Sequence, residues 1–258
     1  MGVRQLLFSA LPGVPIVQQG DNLASLILEG IERAVIELED GDVVILTQKI
    51  VSKAEGRMIA LQSVQPSKPA MDLAEETGKD PRVVELILKE SRKVLRTRED
   101  LIIVEHRLGF VCANAGIDHS NVTDSAVGGD GYVLLLPEDP DMSAANIQEE
   151  LFAATGIKPG VLIIDSHGRA WRMGTVGISI GAAGFPMLLD LRGRPDLTGR
   201  VLQVTQVGLG DEIAAGASAL MGQADERTPI VHLRGLPYPL RNGAVSELLR
   251  PEELDLFR

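Results

Sequence analysis

The chain of 258 residues has 25 basic and 36 acidic side chains, a net charge of −11 and a pI near 4.9. Its single cysteine, Cys112, excludes an internal disulfide and a cysteine-rich zinc site and favours a reducing compartment, so we expect a cytoplasmic protein. The acidic balance and the aromatic content of 3% argue against nucleic-acid binding, and the lack of roughly 18 consecutive apolar residues argues against a membrane span.

The first part of the chain predicts a strand, a helix and a second strand in succession. An apolar run over 3–8 is followed by Pro12 and Pro15, which predicts a first strand rather than a signal peptide. Apolar residues at helical spacing predict a helix over 23–39. The run Val43–Thr47 predicts a buried strand, so the polar residues after it are expected at the end of that strand.

The middle of the chain opens on a polar stretch and continues with a helix and three strands. Residues 62–70 contain Pro66 and Pro69, and this stretch predicts a boundary between two lobes. Asp80 followed by a proline is a favourable helix start, and apolar side chains at helical spacing extend that helix over 81–95. The strands that follow are predicted over 101–105, 108–113 and 132–136.

The last part of the chain mixes helices and strands without a sustained strand–helix–strand rhythm. One helix is predicted to begin after Ser143 and to end at Gly156, and another is predicted over 211–221. Strands are predicted over 161–164, 201–207 and 230–233. This mixture predicts an α+β fold, and the length fits one large domain or two small ones at about 150 residues per domain.

A carboxylate and a hydroxyl follow one of the predicted buried strands. Asp165 ends the apolar run over 161–164, and Ser166 comes next. Oxygen donors at a strand end beside a glycine-containing loop are a common arrangement for a metal next to a phosphate. An aspartate that caps a turn is the alternative, and the residues alone leave both open.

A second polar cluster contains Asp118 and Asn121. Their oxygens suit a hard cation or a nucleotide hydroxyl. The alternative is an Asx turn, in which these side chains bond their own backbone. The cluster therefore becomes informative only together with the other candidate residues.

Basic residues are few in this acidic chain, so their grouping is informative. Lys49, Lys53 and Arg57 follow the Val43–Thr47 strand, and Arg169 and Arg172 flank a tryptophan. Such residues are candidates for contacts with phosphate or carboxylate, and Arg can bind two oxygens at once. The alternative is a solvated face, which is common for Lys and Arg.

Four glycines recur every three or four residues, which suits either a closely packed helix face or a loop that approaches a ligand. They are Gly174, Gly177, Gly181 and Gly184. The sequence contains neither the GxxxxGK[ST] phosphate loop nor the strand–GxGxxG–helix fingerprint. The four histidines lack the spacing of a zinc site, no GxSxG turn occurs, and Cys112 is expected to be packed rather than nucleophilic.

Five segments together resemble one family of enzymes. They are GDVVILTQKIVSKAEGR (41–57), EHRLGFVCANAGIDHSNV (105–122), LLPEDPDMSAANI (135–147), IIDSHGRAWRMGTVGISIGAAG (163–184) and DEIAAGASALMGQADERTPIVHLRG (211–235). The sequence resembles the coenzyme F420-0:L-glutamate ligases, also called gamma-glutamyl ligases. Because the segments are long, unusual and in order from near residue 11 to about residue 235, the resemblance is specific.

The resemblance implies a GTP-dependent ligase that adds L-glutamate to coenzyme F420-0 through an amide bond and then adds γ-linked glutamate. It also implies a homodimer with a fold of its own, a mixed sheet with helices in two lobes. We expect one ligase unit over 1–258, with a middle lobe of about 70–157 inserted into a lobe formed by 1–69 and 158–258. Because some bacterial members carry a following flavin-binding reductase domain, we expect any reductase step here in another protein.

The resemblance also implies cations and site residues. Two divalent cations, Mg²⁺ or Mn²⁺, would bridge the GTP phosphates, and K⁺ is a further candidate ion. Asp118 and Asp165 resemble the ligands of one divalent cation, and Ser166 and Gln223 resemble ligands of the other. The residues that resemble GTP contacts are Val14, Pro15, Ile16, Val17, Gln48, Lys53, Asn121, Met221, Gly222, Gln223, Ala224, Asp225, Glu226, Arg227 and Thr228.

Two other functions stay open from the residues alone. A metal-dependent phosphatase or nucleotide hydrolase could use the same carboxylates, and a non-catalytic protein could bind a deazaflavin or a nucleotide. Arg169 and Arg172 are candidates for binding a substrate carboxylate or phosphate. The segment Thr175-Val-Gly177 departs from part of the family, which has Gln-Thr-Asp there, so the resemblance carries over no role for a polar side chain at that place.

Overall fold

The computed structural model describes residues 3–119 and 131–256, and it combines α-helices with several sheets. The helices are α1 (Leu23–Arg33), α2 (Gln48–Ala54), α3 (Lys68–Thr77), α4 (Pro81–Lys89), α5 (Pro140–Thr155) and α6 (Leu209–Met221). The strands are β1 (Leu7–Ala10), β2 (Val43–Thr47), β3 (Met58–Ala60), β4 (Ser91–Arg98), β5 (Leu101–His106), β6 (Val111–Ala113), β7 (Tyr132–Leu134), β8 (Gly160–Arg169), β9 (Arg172–Ala183), β10 (Leu189–Asp190), β11 (Gln206–Val207) and β12 (Ile230–Arg234). The predicted α+β class is confirmed.

A five-stranded sheet with the order β1-β12-β2-β8-β9 forms the centre of the molecule. The strands β2 and β8 run parallel, whereas β8 and β9 run antiparallel. In the parallel pair Thr47 lies opposite Ile164. Gln48 and Asp165 come directly after these two residues, so they lie at the same level, where β2 ends and β8 continues beside β9.

Both faces of the central sheet are buried, which explains why its strands are apolar on both sides. Val44, Leu46 and Ile163 belong to one hydrophobic cluster that also includes side chains of α1, α4 and α5. Ile45 and Leu162 face the opposite cluster, which is formed mainly with α6. The two parallel strands are therefore fixed between two layers of packing.

A three-stranded sheet with the order β4-β5-β6 lies in the middle of the chain. Its buried side chains Ile102 and Val104 join the same cluster as Val44 in the central sheet. The 3₁₀ helix Leu61–Ser63 and the helix α3 occupy the stretch that predicted a lobe boundary. The division into an inserted middle lobe and an outer lobe stays a prediction.

The helix predicted over 81–95 is wrong in its second half. The helix α4 ends at Lys89 and the strand β4 begins at Ser91. Val94 and Thr97 pair with β5, and two register shifts bend the strand. Sheet pairing with a distant partner therefore replaced a helical pattern that local spacing alone favoured.

Other boundaries differ in ways that follow from the backbone. The helix predicted over 23–39 ends at Arg33, because Val35 adopts a φ of 55° that a helix cannot continue. The strand predicted over 201–207 is reduced to its last two residues, and the first strand lies at Leu7–Ala10 rather than 3–8. Within the described ranges, every helix is too short or too polar to cross a membrane.

Candidate functional site

Two carboxylates lie close to each other beyond the carboxyl end of β2, where β8 extends past it. Asp165 follows the apolar part of β8. Asp118 forms an isolated bridge with Leu134, in which each backbone N–H donates to the other residue's carbonyl at 2.9 Å. Because this bridge fixes the backbone of Asp118, its side chain is held against the end of the central sheet.

The environment of Asp118 disfavours its negative charge. Burial raises the pKa of this carboxyl to about 6, Lys49 opposes the shift, and the negative charge of Asp165 adds to it. The Nζ of Lys49 lies 3.5 Å from Oδ1 of Asp118. A carboxylate that is buried near a second carboxylate and is already approached by one ammonium group is a site at which a further cation is favourable.

Gln48 holds the Asp118 carboxylate from inside the protein. Its Nε2 donates to Oδ2 of Asp118 at 2.5 Å, and its Oε1 accepts from the Ser52 hydroxyl at 2.9 Å. Gln48 is 1% exposed, so both ends of the amide are used within the protein. Its role as a GTP contact stays a prediction, whereas its contact with Asp118 is a feature that the sequence did not indicate.

Asp165 has a buried histidine as its partner. The Nε2 of His167 lies 2.9 Å from Oδ2 of Asp165, within hydrogen-bond distance. The imidazole packs against Phe110, with 5.5 Å between the ring centroids. Residues two apart on a strand point to the same face, so the spacing Asp-x-His in β8 was a usable signal that the sequence analysis missed.

Ser166 and Gln223 also meet, although they are far apart in the chain. The Ser166 hydroxyl donates to Oε1 of Gln223 at 2.9 Å. The Nε2 of Gln223 donates to the Ser218 hydroxyl at 3.2 Å, which anchors the amide to α6. These two oxygen donors are therefore in contact, and Ser166 directly follows Asp165 in the sequence.

The oxygen donors form two pairs, and each pair fits a hard divalent cation. One pair is the carboxylates of Asp118 and Asp165, and the other is the Ser166 hydroxyl with the Gln223 amide oxygen. These are donor types that Mg²⁺ and Mn²⁺ prefer. Within residues 3–119 and 131–256, no three His, Cys, Asp or Glu side chains are grouped as a metal site. Mg²⁺ often takes only one or two carboxylates and completes its shell with water and substrate phosphates, so a thin protein shell is compatible with it.

The predicted nucleotide segment after α6 forms a tight turn. Gly222 has a φ of +75°, and a Cβ there would lie 2.1 Å from the Glu226 carboxyl carbon, so only glycine fits. The backbone N–H of Ala224 donates to Oε2 of Glu226 at 2.8 Å. The Thr228 hydroxyl donates to the Met221 carbonyl at 2.9 Å, which closes the turn. Gln223, Asp225 and Arg227 are exposed on it.

The N-terminal loop is fixed beside this turn. The Leu11 N–H donates to the Ile230 carbonyl at 2.9 Å, and the Gly20 N–H donates to the Ala54 carbonyl at the same distance. The loop therefore spans from the start of β12 to the end of α2. It contains the predicted contacts Val14, Pro15, Ile16 and Val17, of which Val17 is buried and Ile16 is 54% exposed.

Lys53 and Asn121 are the remaining predicted GTP contacts. Lys53 is half-buried in the last turn of α2, next to the Ala54 carbonyl that holds the N-terminal loop. Asn121 lies outside the described residues. The loop, Lys53 and the turn after α6 thus border one region of the surface, and the nucleotide role of each stays a prediction.

The two arginines lie at the tip of the β8–β9 hairpin. Arg169 and Arg172 face each other across it, and both are exposed. The Arg169 guanidinium donates to the carbonyls of Met173 and Gly174 at 3.4 and 3.3 Å. Four residues of strand separate Arg169 from Asp165, roughly 13 Å at about 3.3 Å per residue, so the structure does not bring these arginines to the carboxylates.

Arg57 has a structural role instead of the phosphate contact that its position suggested. Its Nε donates to the Leu136 carbonyl at 2.9 Å, and its Nη2 donates to Oε1 of the buried Glu90 at 3.0 Å. Cys112 is packed, as predicted, and burial raises the pKa of its thiol to about 12. Neither side chain is available for chemistry in this structure.

Three of the repeated glycines, Gly174, Gly177 and Gly181, lie in β9, which is neither of the two predicted alternatives, and Gly184 directly follows the strand. A Cβ on Gly177 would lie 2.5 Å from the Ala214 carbonyl oxygen in α6. A Cβ on Gly181 would lie 2.5 Å from the Pro140 carbonyl oxygen in α5. These glycines therefore allow helices to pack directly on a strand.

Comparisons with known proteins show which family the chain is similar to. A family model described as F420-0:Gamma-glutamyl ligase matches residues 13–235. The chain is 49% identical over 248 residues to the Coenzyme F420:L-glutamate ligase of Methanothermobacter thermautotrophicus, covering 95% of this chain and 96% of that protein. The protein of the same name from Methanopyrus kandleri is 46% identical over 261 residues, covering 100% and 99%. That from Methanocaldococcus jannaschii is 42% identical over 247 residues, covering 95% and 94%.

Proposed function

The chain belongs to the F420-0:gamma-glutamyl ligase family, and from this premise we propose that it joins L-glutamate to coenzyme F420-0 in the biosynthesis of coenzyme F420. The reaction forms an amide bond at the expense of GTP and takes place in the cytoplasm. The observation that carries the proposal is that neighbouring residues of β8 meet two distant oxygen donors: Asp165 lies near Asp118, and Ser166 contacts Gln223.

Joining a carboxylate to an amine in water is unfavourable, so the carboxylate must first be activated. In the proposed route the γ-phosphoryl group of GTP passes to the carboxylate of F420-0, giving an acyl phosphate and GDP. The α-amine of glutamate then attacks the acyl carbon, loses a proton, and inorganic phosphate leaves. Repetition on the γ-carboxylate of the added glutamate gives a γ-linked chain.

The chain's own residues supply binding and positioning for this route. Asp118 and Asp165 would hold one Mg²⁺ or Mn²⁺, and Ser166 and Gln223 would hold a second. Such cations neutralise the charge that develops on the transferring phosphoryl group. Lys53 would bind phosphate as a point charge. No side-chain nucleophile is needed, because positioning and electrostatic stabilisation account for most of the catalysis in phosphoryl transfer.

Charge is the physical reason that this site needs cations. GTP, the deazaflavin phosphodiester and glutamate are all anions, and the chain itself has a net charge of −11. Substrates of this kind approach such a protein against repulsion unless positive charge is concentrated at the site. Lys49 and the proposed divalent ions would provide that concentration next to Asp118.

We include in the proposal a homodimer in which each chain has two lobes. Support comes from the β8–β9 hairpin tip, where Trp171 and Met173 are 88% and 97% exposed. Apolar side chains at a projecting tip are typical of a surface that another chain covers. Sedimentation velocity of the full chain tests the dimer, and a monomer at micromolar concentration would contradict it.

The decisive experiment incubates the protein with F420-0, GTP, Mn²⁺ and L-glutamate and determines product masses. We expect mass increments of glutamyl units and loss of that product in Asp165→Asn at saturating Mn²⁺. A matched control is Asp190→Asn, which removes an exposed aspartate that is paired with Arg192 away from the site. Unchanged turnover of Asp165→Asn would refute the metal role of this carboxylate.

The same experiment distinguishes the other two functions. GTP hydrolysis that does not depend on glutamate would favour a nucleotide hydrolase. Binding of GTP or deazaflavin without any product would favour a non-catalytic binding protein. Replacing GTP by ATP at equal concentration tests the nucleotide, since equal rates with both would contradict a GTP-specific ligase.

A further inference from the structure

The described part of the chain contains two buried histidines, each beside an aspartate. His167 lies with its Nε2 2.9 Å from Oδ2 of Asp165, and His232 lies with its Nε2 2.9 Å from Oδ2 of Asp42. The first pair lies in the part of β8 that extends past the end of β2, at the candidate site. The second is at the start of β2, on the opposite edge of the same sheet.

We propose that His167 is a positioning residue, which orients the Asp165 carboxylate for the divalent cation and thereby for phosphoryl transfer. The inference rests on the proposed function, because it concerns the same carboxylate. It differs from a ligand role, since the imidazole contacts the aspartate and the aspartate would contact the ion. In the interaction, Nε2 carries the hydrogen and Oδ2 accepts it.

The surroundings of His167 restrict the motion of its ring. The side chain is 9% exposed and packs against Phe110, whose own ring stacks on His106 with 5.1 Å between centroids. Asp165 itself is 13% exposed, so little water reaches the interaction. A hydrogen bond from a fixed donor limits the rotation of the carboxylate and directs the lone pairs that remain.

Hydrogen-bond partners of metal ligands affect the metal strongly. Removing one usually weakens metal affinity or activity by about 10- to 100-fold, because the ligand must then be ordered when the ion binds. Asp118 shows the same design with a different donor, since Gln48 holds its Oδ2 and Ser52 holds Gln48. In each carboxylate, a buried side chain holds Oδ2.

A purely structural role for His167 would have a different signature. A buried histidine that only stabilises the strand affects unfolding, not the binding of an ion. His232 provides the comparison within the same molecule, because it is 2% exposed and has the same distance to its aspartate. The pair of His232 and Asp42 is separated from the candidate site by the length of β2, roughly 15 Å or more at about 3.3 Å per residue.

The test uses three variants of His167 in the full chain. Gln places its side-chain amide nitrogen near the position of Nε2, whereas Asn is shorter and reaches only the position of Nδ1. Leu removes the donor and keeps apolar contact with Phe110. His232→Gln is the matched control, and thermal unfolding in a chelator measures the stability of every variant.

Mn²⁺ affinity is measured directly, by the electron paramagnetic resonance signal of free Mn²⁺, with and without GTP. We expect His167→Leu and His167→Asn to bind Mn²⁺ about 10- to 100-fold more weakly, and His167→Gln to recover affinity to within about threefold of the wild type. In turnover, the KM for Mn²⁺ should rise in the Leu and Asn variants while kcat at saturating Mn²⁺ changes less. His232→Gln should lose stability without losing Mn²⁺ affinity.

The possible outcomes separate this inference from the proposed function. If wild-type protein binds Mn²⁺, Asp165→Asn does not, and His167→Leu binds as wild type does, the positioning role is overturned and the metal site stands. If affinity in the His167 and His232 variants falls only in proportion to stability, the positioning role is overturned as well. If wild-type protein with GTP binds no Mn²⁺, the metal site fails and the inference fails with it.

Discussion

Replacing the Asp118 carboxylate by an amide is expected to stabilise the protein when no divalent cation is present. The pKa of Asp118 rises from 3.8 to about 6 on folding, mainly through burial. A rise of about two pKa units corresponds to roughly 3 kcal/mol, at 1.36 kcal/mol per unit. Because the side chain is 25% exposed, we expect Asp118→Asn to gain about 1–3 kcal/mol at pH 8.

The dependence of this gain on pH has a definite sign. A carboxyl with a raised pKa binds its proton more tightly in the folded state, so its stabilising contribution is complete below about pH 4 and is lost as pH rises through about 6. The amide has no such loss. The variant and the wild type should therefore have similar stability at pH 4 and differ at pH 8.

Urea unfolding in a chelator, followed by circular dichroism, measures this difference. Fluorescence is a poor probe, because the single tryptophan, Trp171, is 88% exposed in the folded protein. A gain of 1–3 kcal/mol would raise Tm by roughly 2–10 °C for a chain of this size. Adding Mn²⁺ with GTP should reverse the order, since ligand binding stabilises only the protein that binds it. An amide variant that is equal to or less stable than wild type at pH 8 in the chelator would refute the reasoning.

Three further predictions concern the stability of the central sheet and the binding of the nucleotide. Asp42→Asn should lower the free energy of unfolding by about 3 kcal/mol at pH 7, because the Asp42 carboxylate is 1% exposed and accepts from the Arg234 guanidinium. The pKa of Asp42 is lowered on folding, so urea unfolding should show a smaller loss as pH falls below about 4. Gly177→Ala should lose about 1–3 kcal/mol in the same assay, whereas Gly168→Ala, which meets nothing within 4 Å, should lose under about 1 kcal/mol; equal losses would contradict the close packing on α6. Lys53→Ala should raise the KM for GTP about tenfold with little change in the KM for glutamate, and an unaltered KM for GTP would remove Lys53 from the nucleotide site.

The elements predicted correctly are those whose local pattern and tertiary surroundings agree. The strand Val43–Thr47 has the predicted bounds. A strand that is buried on both faces is a continuous apolar run, which can be recognised without knowing the strands that pair with it. The segment after Lys89 was mistaken for helix, since its spacing suits a helix and only the pairing of Ser91–Arg98 with β5 favours a strand. That pairing depends on residues farther along the chain, which local spacing does not include.

The glycine repeat shows how a period can mislead. Spacing of three or four residues suggests a helix face, but Gly177 and Gly181 lie in one strand and contact different helices. A register shift opposite Ile163 and Ile164 leaves Ile180 without a partner residue, so the side-chain directions on either side of it are offset. No periodicity rule for a regular strand or helix would have given this pattern.

The sequence indicated candidate oxygen donors but not the contacts that hold them. Asp165 and Ser166 follow an apolar run, and Asp118 lies in a polar cluster after a strand. The hydrogen bond from Gln48 to Asp118 spans 70 residues, and that between Ser166 and Gln223 spans 57. Contacts at such separations follow from the sheet order, which the sequence pattern does not specify.

The topology explains why these distant residues meet. In the central sheet β2 and β8 are parallel, so their carboxyl ends lie at the same edge, and the chain between them must leave that edge and return to the other. Gln48 follows the end of β2, Asp165 lies at the same level within β8, and the intervening segment brings Asp118 back beside both. The carboxyl edge of parallel strands is also where open α/β sheets usually bind ligands. A buried carboxylate with a raised pKa lowers stability there, and the proposed cation would offset this cost when it binds.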